Sequence, residues 1–105
     1  MKIEDIVEKV RHEEFELSVH AHDERQAEAI TVENIKEALL NGEILEQYPD
    51  DPRGESCLVL GHMENRPAHV VCGWKKNGWL FIITVYIPQP PKWIDERTRA
   101  KRGEP

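Results

Sequence analysis

The chain has almost nothing with which to cross-link itself, since Cys57 and Cys72 are its only cysteines. A disulfide framework is excluded, and two buried free thiols in a reducing compartment are expected. No apolar run approaches the roughly 20 residues that a membrane span needs. The opening Met1-Lys2-Ile3-Glu4-Asp5 lacks the apolar stretch of a secretory signal, so a cytoplasmic protein without membrane contact is expected. Metal motifs are missing too: there is no Cys-x-x-Cys and no His-Glu-x-x-His, and the scattered His20, His22, His62, His69, Cys57 and Cys72 have poor spacing for zinc. No metal and no cofactor are expected. Gly54, Gly61, Gly73 and Gly78 are isolated rather than gathered in a phosphate loop, and neither Ser18 nor Ser56 lies in a nucleophile elbow.

What remains is a chain of 105 residues, enough for one domain spanning 1–105 with one modest core. Hydrophobic content of 39% against 32% charged residues places it among globular sequences. Its net charge of −6 opposes non-specific binding of phosphate backbones, so any nucleic-acid role requires a local basic patch. The tail over 94–105 and the adjoining Lys92 supply one: Lys92, Arg97, Arg99, Lys101 and Arg102 outnumber Asp95, Glu96 and Glu104. The ordinary reading of such a tail is a frayed, solvated terminus.

Helical spacing of Ile3, Ile6, Val7 and Val10 predicts an amphipathic helix over 2–12. Phe15 to Val19 alternates and suits a short strand or an extended lead-in to the next helix. Ser18 is a candidate N-cap for a weakly amphipathic helix over 19–29. Thr31 caps a clearer helix over 32–41, with Gly42 as its expected left-handed terminator. A strand begins at Ile44-Leu45 and ends in Tyr48-Pro49-Asp50-Asp51-Pro52-Arg53-Gly54, a run of turn formers. Strands are expected over Ser56–Leu60, Ala68–Trp74 and Trp79–Ile87, with a loop from Gly61 to Pro67. Pro88-Gln89-Pro90-Pro91 then stops the sheet, and Trp93 is a candidate anchor for the tail.

Asn77-Gly78 predicts a two-residue type I′ hairpin loop. Pairing Lys76 with Trp79 places Trp74 opposite Phe81, Cys72 opposite Ile83 and Val70 opposite Val85, an apolar face. The other face then carries Val71 opposite Thr84 and His69 opposite Tyr86.

Two polar sets follow. On a helix beginning near Val19, His20 and Glu24 are neighbours four residues apart, and a carboxylate beside an imidazole can orient a general base. The plainer use of that spacing is a surface ion pair. His69, Thr84 and Tyr86 form the second set, either a packed cross-strand pair or an acid–base group with a donor to phosphate. Arg53 at its turn and Arg66 before the His69 strand could each grip an anion.

The ordered set His20-Ala21-x-Asp23-Glu24, Ile30-Thr31, Ala38-Leu39-x-x-Gly42-Glu43-Ile44, Tyr48 to Gly54, Leu60-Gly61, Arg66-Pro67, His69-Val70-Val71 and Ile83-Thr84-Val85-Tyr86-x-Pro88 resembles the family called domain of unknown function 4258. The resemblance covers roughly 15–93. Many members carry Arg-Met where this chain has Glu24-Arg25. Members resemble RelE-like and BrnT-like toxins in layout and often accompany small zinc-finger antitoxins. The resemblance implies an α+β fold, with N-terminal helices on one face of a roughly four-stranded antiparallel sheet, and metal-independent cleavage of RNA. It implies His20 or His69 as base and acid, Glu24 as orienter or substitute base, Arg53 and Arg66 on phosphate, and Tyr86 in substrate positioning. Thr84 and Lys92 join the expected substrate-binding set. The competing expectation is a non-catalytic protein-binding module, suggested by the acidic body and the basic, proline-bounded tail.

Overall fold

A computed structural model describes residues 1–100. Lys101, Arg102 and Glu104 of the basic tail lie outside the described residues. The elements run α1 (Ile3–Arg11), β1 (Phe15–Leu17), α2 (Val19–Ala27), α3 (Val32–Leu40), β2 (Glu43–Tyr48), β3 (Ser56–Met63), β4 (Arg66–Trp74) and β5 (Leu80–Tyr86).

The fold is α+β, with helices packed against a five-stranded sheet of order β1-β5-β4-β3-β2. It is mixed rather than purely antiparallel, because the short Phe15–Leu17 segment joins as a parallel neighbour of β5, Phe15 facing Leu80. Alternation sorts the side chains. Cys57, Val59, Ala68, Val70, Cys72, Leu80, Ile82 and Val85 form one core with Ile6 and Val10 of α1, Ala21 of α2 and Ile35, Ala38 and Leu39 of α3. The opposite face carries Leu58, Leu60, His69, Val71, Thr84 and Tyr86.

Local chemistry accounts for the helix boundaries. The Thr31 hydroxyl accepts from the Asn34 N–H at 2.9 Å while Asn34 Oδ1 accepts from the Thr31 N–H at 3.0 Å, a reciprocal cap. Gly42 does not take the expected left-handed conformation; α3 ends at Asn41, with φ −106°. Its lack of a side chain serves close packing instead, since a Cβ there would lie 2.5 Å from Val59 Cγ1. Gly61 is tighter still: its Cβ would fall 1.9 Å from the Ala38 carbonyl oxygen, so α3 seats directly on β3.

Both hairpins depart from the sequence expectation. The Gly61–Pro67 segment is not a loop; β3 and β4 run on until Met63 faces Arg66. The two-residue turn is Glu64-Asn65, with φ 50° and 65°, the left-handed pair that a type I′ turn requires. The Asn77-Gly78 loop is one residue longer than expected. Gly78 N–H donates to the Lys75 carbonyl and Lys75 N–H to the Trp79 carbonyl, both at 2.9 Å, with Gly78 at φ 87°. This is the three-residue arrangement, a turn closed by a left-handed glycine. Trp74 therefore faces Leu80, and Cys72 faces Ile82. A bulge at Ile83 absorbs the offset, so Val71 still faces Thr84 and His69 faces Tyr86.

Residues 88–100 do not fray. They cross the second sheet face as a strap, closed by Trp93 N–H to Gln89 O (3.3 Å), Ile94 N–H to Thr98 O (2.8 Å) and Ala100 N–H to Lys92 O (2.9 Å). Trp93 is 2% exposed. Arg99 holds the strap down with a bidentate grip on Glu46, 2.8 Å from each oxygen, and Arg97 pairs with Glu43. Burial of an indole against His69 outweighs the disorder ordinarily kept by a chain end.

Candidate functional site

β1 covers only the first three residues of β5, leaving Ile83–Tyr86 as an open sheet edge, and α2 lies along it. Ser18 caps α2 by accepting from the Ala21 N–H at 2.9 Å, and its hydroxyl donates to the bulged Ile83 carbonyl at 2.8 Å. One turn on, Glu24 Oε1 accepts from the Val85 N–H at 3.0 Å, and Glu28 Oε2 accepts from the Ile87 N–H at 3.2 Å. The helix thus satisfies the edge with carboxylates instead of another strand. Ala21 enters the core, which turns His20 and Glu24 toward the second sheet face.

His20 Nε2 stands 3.3 Å from Glu24 Oε2, and its ring is 67% exposed. Two adjoining depressions meet at His20 and Thr84. One, of about 440 Å³, is lined by Ser18, Tyr48, Asp51, Arg53, Ser56, Val71 and Ile83 as well. The other, of about 600 Å³, adds Glu24, Glu28, Tyr86, Lys92, Trp93 and Arg99. Together they make one cleft along β5. Of the expected site residues it gathers His20, Glu24, Thr84, Tyr86, Arg53 and Lys92.

His69 is beneath this cleft, not on it. Its side chain is fully buried. Nε2 is 2.7 Å from the Glu96 carbonyl oxygen and Nδ1 is 3.1 Å from the Tyr86 hydroxyl. A carbonyl can only accept, so Nε2 carries the proton; Nδ1 is then the acceptor, and Tyr86 donates to it. Trp93 closes the assembly edge-on, with ring centroids 4.3 Å apart. Burial holds the His69 pKa below its ordinary value, against the opposing hydrogen bond to Glu96. Burial pushes the Tyr86 phenol up, partly offset by a hydrogen bond from Trp93.

Arg66 is not brought in: it is exposed beside the Glu64-Asn65 turn and lines neither depression. Arg53 reaches the cleft from a strongly exposed position, braced on Asp51 at 3.3 Å. The backbone hydrogen bond from Arg53 keeps the Asp51 carboxyl low. Sequence reasoning missed Tyr48 and the role of Arg99. Arg99 Nη2 also donates to Tyr48 Oη at 3.3 Å, and its guanidinium stacks on Trp93 at 4.7 Å. Burial and the Glu46 hydrogen bond raise the Tyr48 pKa to about 12, while Arg99 holds Glu46 low. The only sequence signal for this network was Trp93 among basic residues. Among the described residues, no three His, Cys, Asp or Glu side chains gather as metal ligands, and no helix is long and apolar enough to cross a membrane.

No curated protein and no solved structure matches the chain. The profile of one family, described as a domain of unknown function (DUF4258), matches residues 17–87, from just before the Ser18 cap through the end of β5. That span holds β2 to β5, α2, α3 and most of the cleft, but of β1 only Leu17, and not the strap. The chain belongs to the DUF4258 family.

Proposed function

We propose that the chain is a metal-independent endoribonuclease of the toxin kind, acting on RNA laid along the β5 cleft. The observation that carries this reading is that two depressions meet at His20 and Thr84, one reaching Arg53 and the other Tyr86 and Lys92. With Nε2 turned to Glu24, His20 presents Nδ1 to solvent as the base. In the reaction His20 takes the proton of a ribose 2′-hydroxyl and the 2′-oxygen attacks the adjacent phosphorus. The bond to the 5′-oxygen breaks, leaving a 2′,3′-cyclic phosphate and a 5′-hydroxyl. Lys92, exposed on the strap wall, is the proton donor to the leaving oxygen in place of the enclosed His69. Arg53 and Thr84 hold the phosphate, whose charge grows in the transition state. The partner in this reading is a small zinc-finger antitoxin.

A synthetic RNA incubated with the purified protein is expected to yield cyclic-phosphate ends, and His20→Ala to slow cleavage by about 10²- to 10⁴-fold. Equal cleavage by parent and variant would overturn the reading. Enclosure of His69 favours a second reading, a non-catalytic binding module, which predicts no cleavage by either protein.

A further inference from the structure

The Tyr86 hydroxyl has one proton, and the buried His69 fixes where it goes. The Glu96 carbonyl holds the His69 proton on Nε2, so Nδ1 takes the Tyr86 proton. Tyr86 also lines the 600 Å³ depression, and with its proton engaged by His69 its oxygen has only lone pairs to offer there. Any group meeting Tyr86 there must bring its own proton. A phosphate oxygen has none to give at neutral pH; a sugar hydroxyl does.

We propose that Tyr86 is the ribose-reading residue of the cleft, accepting a hydrogen bond from the 2′-hydroxyl of the nucleotide beside the scissile one, and that His69 is a positioning residue that sets this polarity. This rests on the polynucleotide reading above and assigns the neighbouring sugar to Tyr86 and the scissile phosphate to Arg53 and Thr84, leaving the attacking 2′-hydroxyl to His20. His69 thereby acts on ligand choice without touching the ligand. His69→Gln can keep both bonds, its amide N–H donating to Glu96 and its carbonyl accepting from Tyr86. His69→Leu keeps neither.

The test uses adenosine 3′-monophosphate and its 2′-deoxy counterpart, neither of which has a 5′-leaving group to cleave. Titrations followed by nuclear magnetic resonance are expected to show the ribose form binding about 10-fold more tightly, the worth of one hydrogen bond in a partly enclosed site. Tyr86→Phe and His69→Leu remove the preference; His69→Gln retains it. Circular dichroism and tryptophan fluorescence establish that each variant is folded, and Tyr86→Phe, which deletes one oxygen, carries the test if His69→Leu does not fold. Nitrogen-15 shifts of the His69 ring should show Nε2 protonated and Nδ1 bare. Equal binding of the two nucleotides, binding of neither, or a preference surviving in Tyr86→Phe overturns the inference. A protonated Nδ1 does so whatever the activity. The RNA-cleavage reading is decided separately by the His20→Ala comparison, so either can fail alone.

Discussion

At the scale of single residues, His69 links stability to pH in a direction its burial decides. Its folded pKa is depressed below 6.5, so below that pH the unfolded chain binds a proton that the folded chain refuses. Stability is therefore full above about pH 6.5 and declines as the pH falls toward the folded pKa. Denaturant midpoints at pH 7.5 and pH 5.5 are expected to separate in the parent, and the part due to this group should vanish in His69→Gln. Glu46 runs parallel to it, because Arg99 lowers its pKa, so acid also weakens the strap's anchor. Arg99→Ala is expected to cost about 1–2 kcal/mol, the sum of a partly exposed ion pair and a cation–π contact. A chemical denaturation curve would measure it.

At the scale of elements, α2 acts as a substitute strand. Glu24→Ala should strand the Val85 N–H at the sheet edge and destabilise by about 1–3 kcal/mol, whereas Glu24→Gln keeps an acceptor for it and loses less. The contact of α3 with β3 tolerates nothing larger than glycine at Gly61. Gly61→Ala is expected to cost about 3 kcal/mol or more, read from the same curves. These elements were unequally legible. Apolar spacing and Thr31 placed α1 and α3 well, because helix periodicity and caps are local signals. The pairing of β1 with β5 was invisible, since three residues carry little alternation and a parallel neighbour is chosen by distant chain. The Asn77-Gly78 dipeptide indicated a turn but not its length, and Glu64-Asn65 gave no glycine to reveal its two left-handed residues. Of the cleft, His20, Glu24, Thr84 and Tyr86 were readable from spacing. That His69 lies beneath it was not, because the cover comes from a tail whose composition reads as solvent-loving.

At the scale of the molecule, the sheet has helices across one face and a strap over part of the other, and the cleft exists because that cover stops short. Trp93→Ala is expected to cost about 3 kcal/mol or more through the lost burial, and to let water reach His69, which diethyl pyrocarbonate would then modify. A variant that stays as stable as the parent and leaves His69 unreactive would show that the strap is not what encloses the ring. Between the 75–79 turn and Thr84, β5 gains a residue and ejects one at Ile83, and Ser18 pins the ejected carbonyl. The hairpin works as a vernier: its turn can lengthen or shorten by one residue while a fixed stop downstream restores alignment. Inheritance of insertions and deletions in this turn is thus decoupled from the cleft, and length variation among relatives should concentrate at Lys76–Gly78 without moving His69 away from Tyr86.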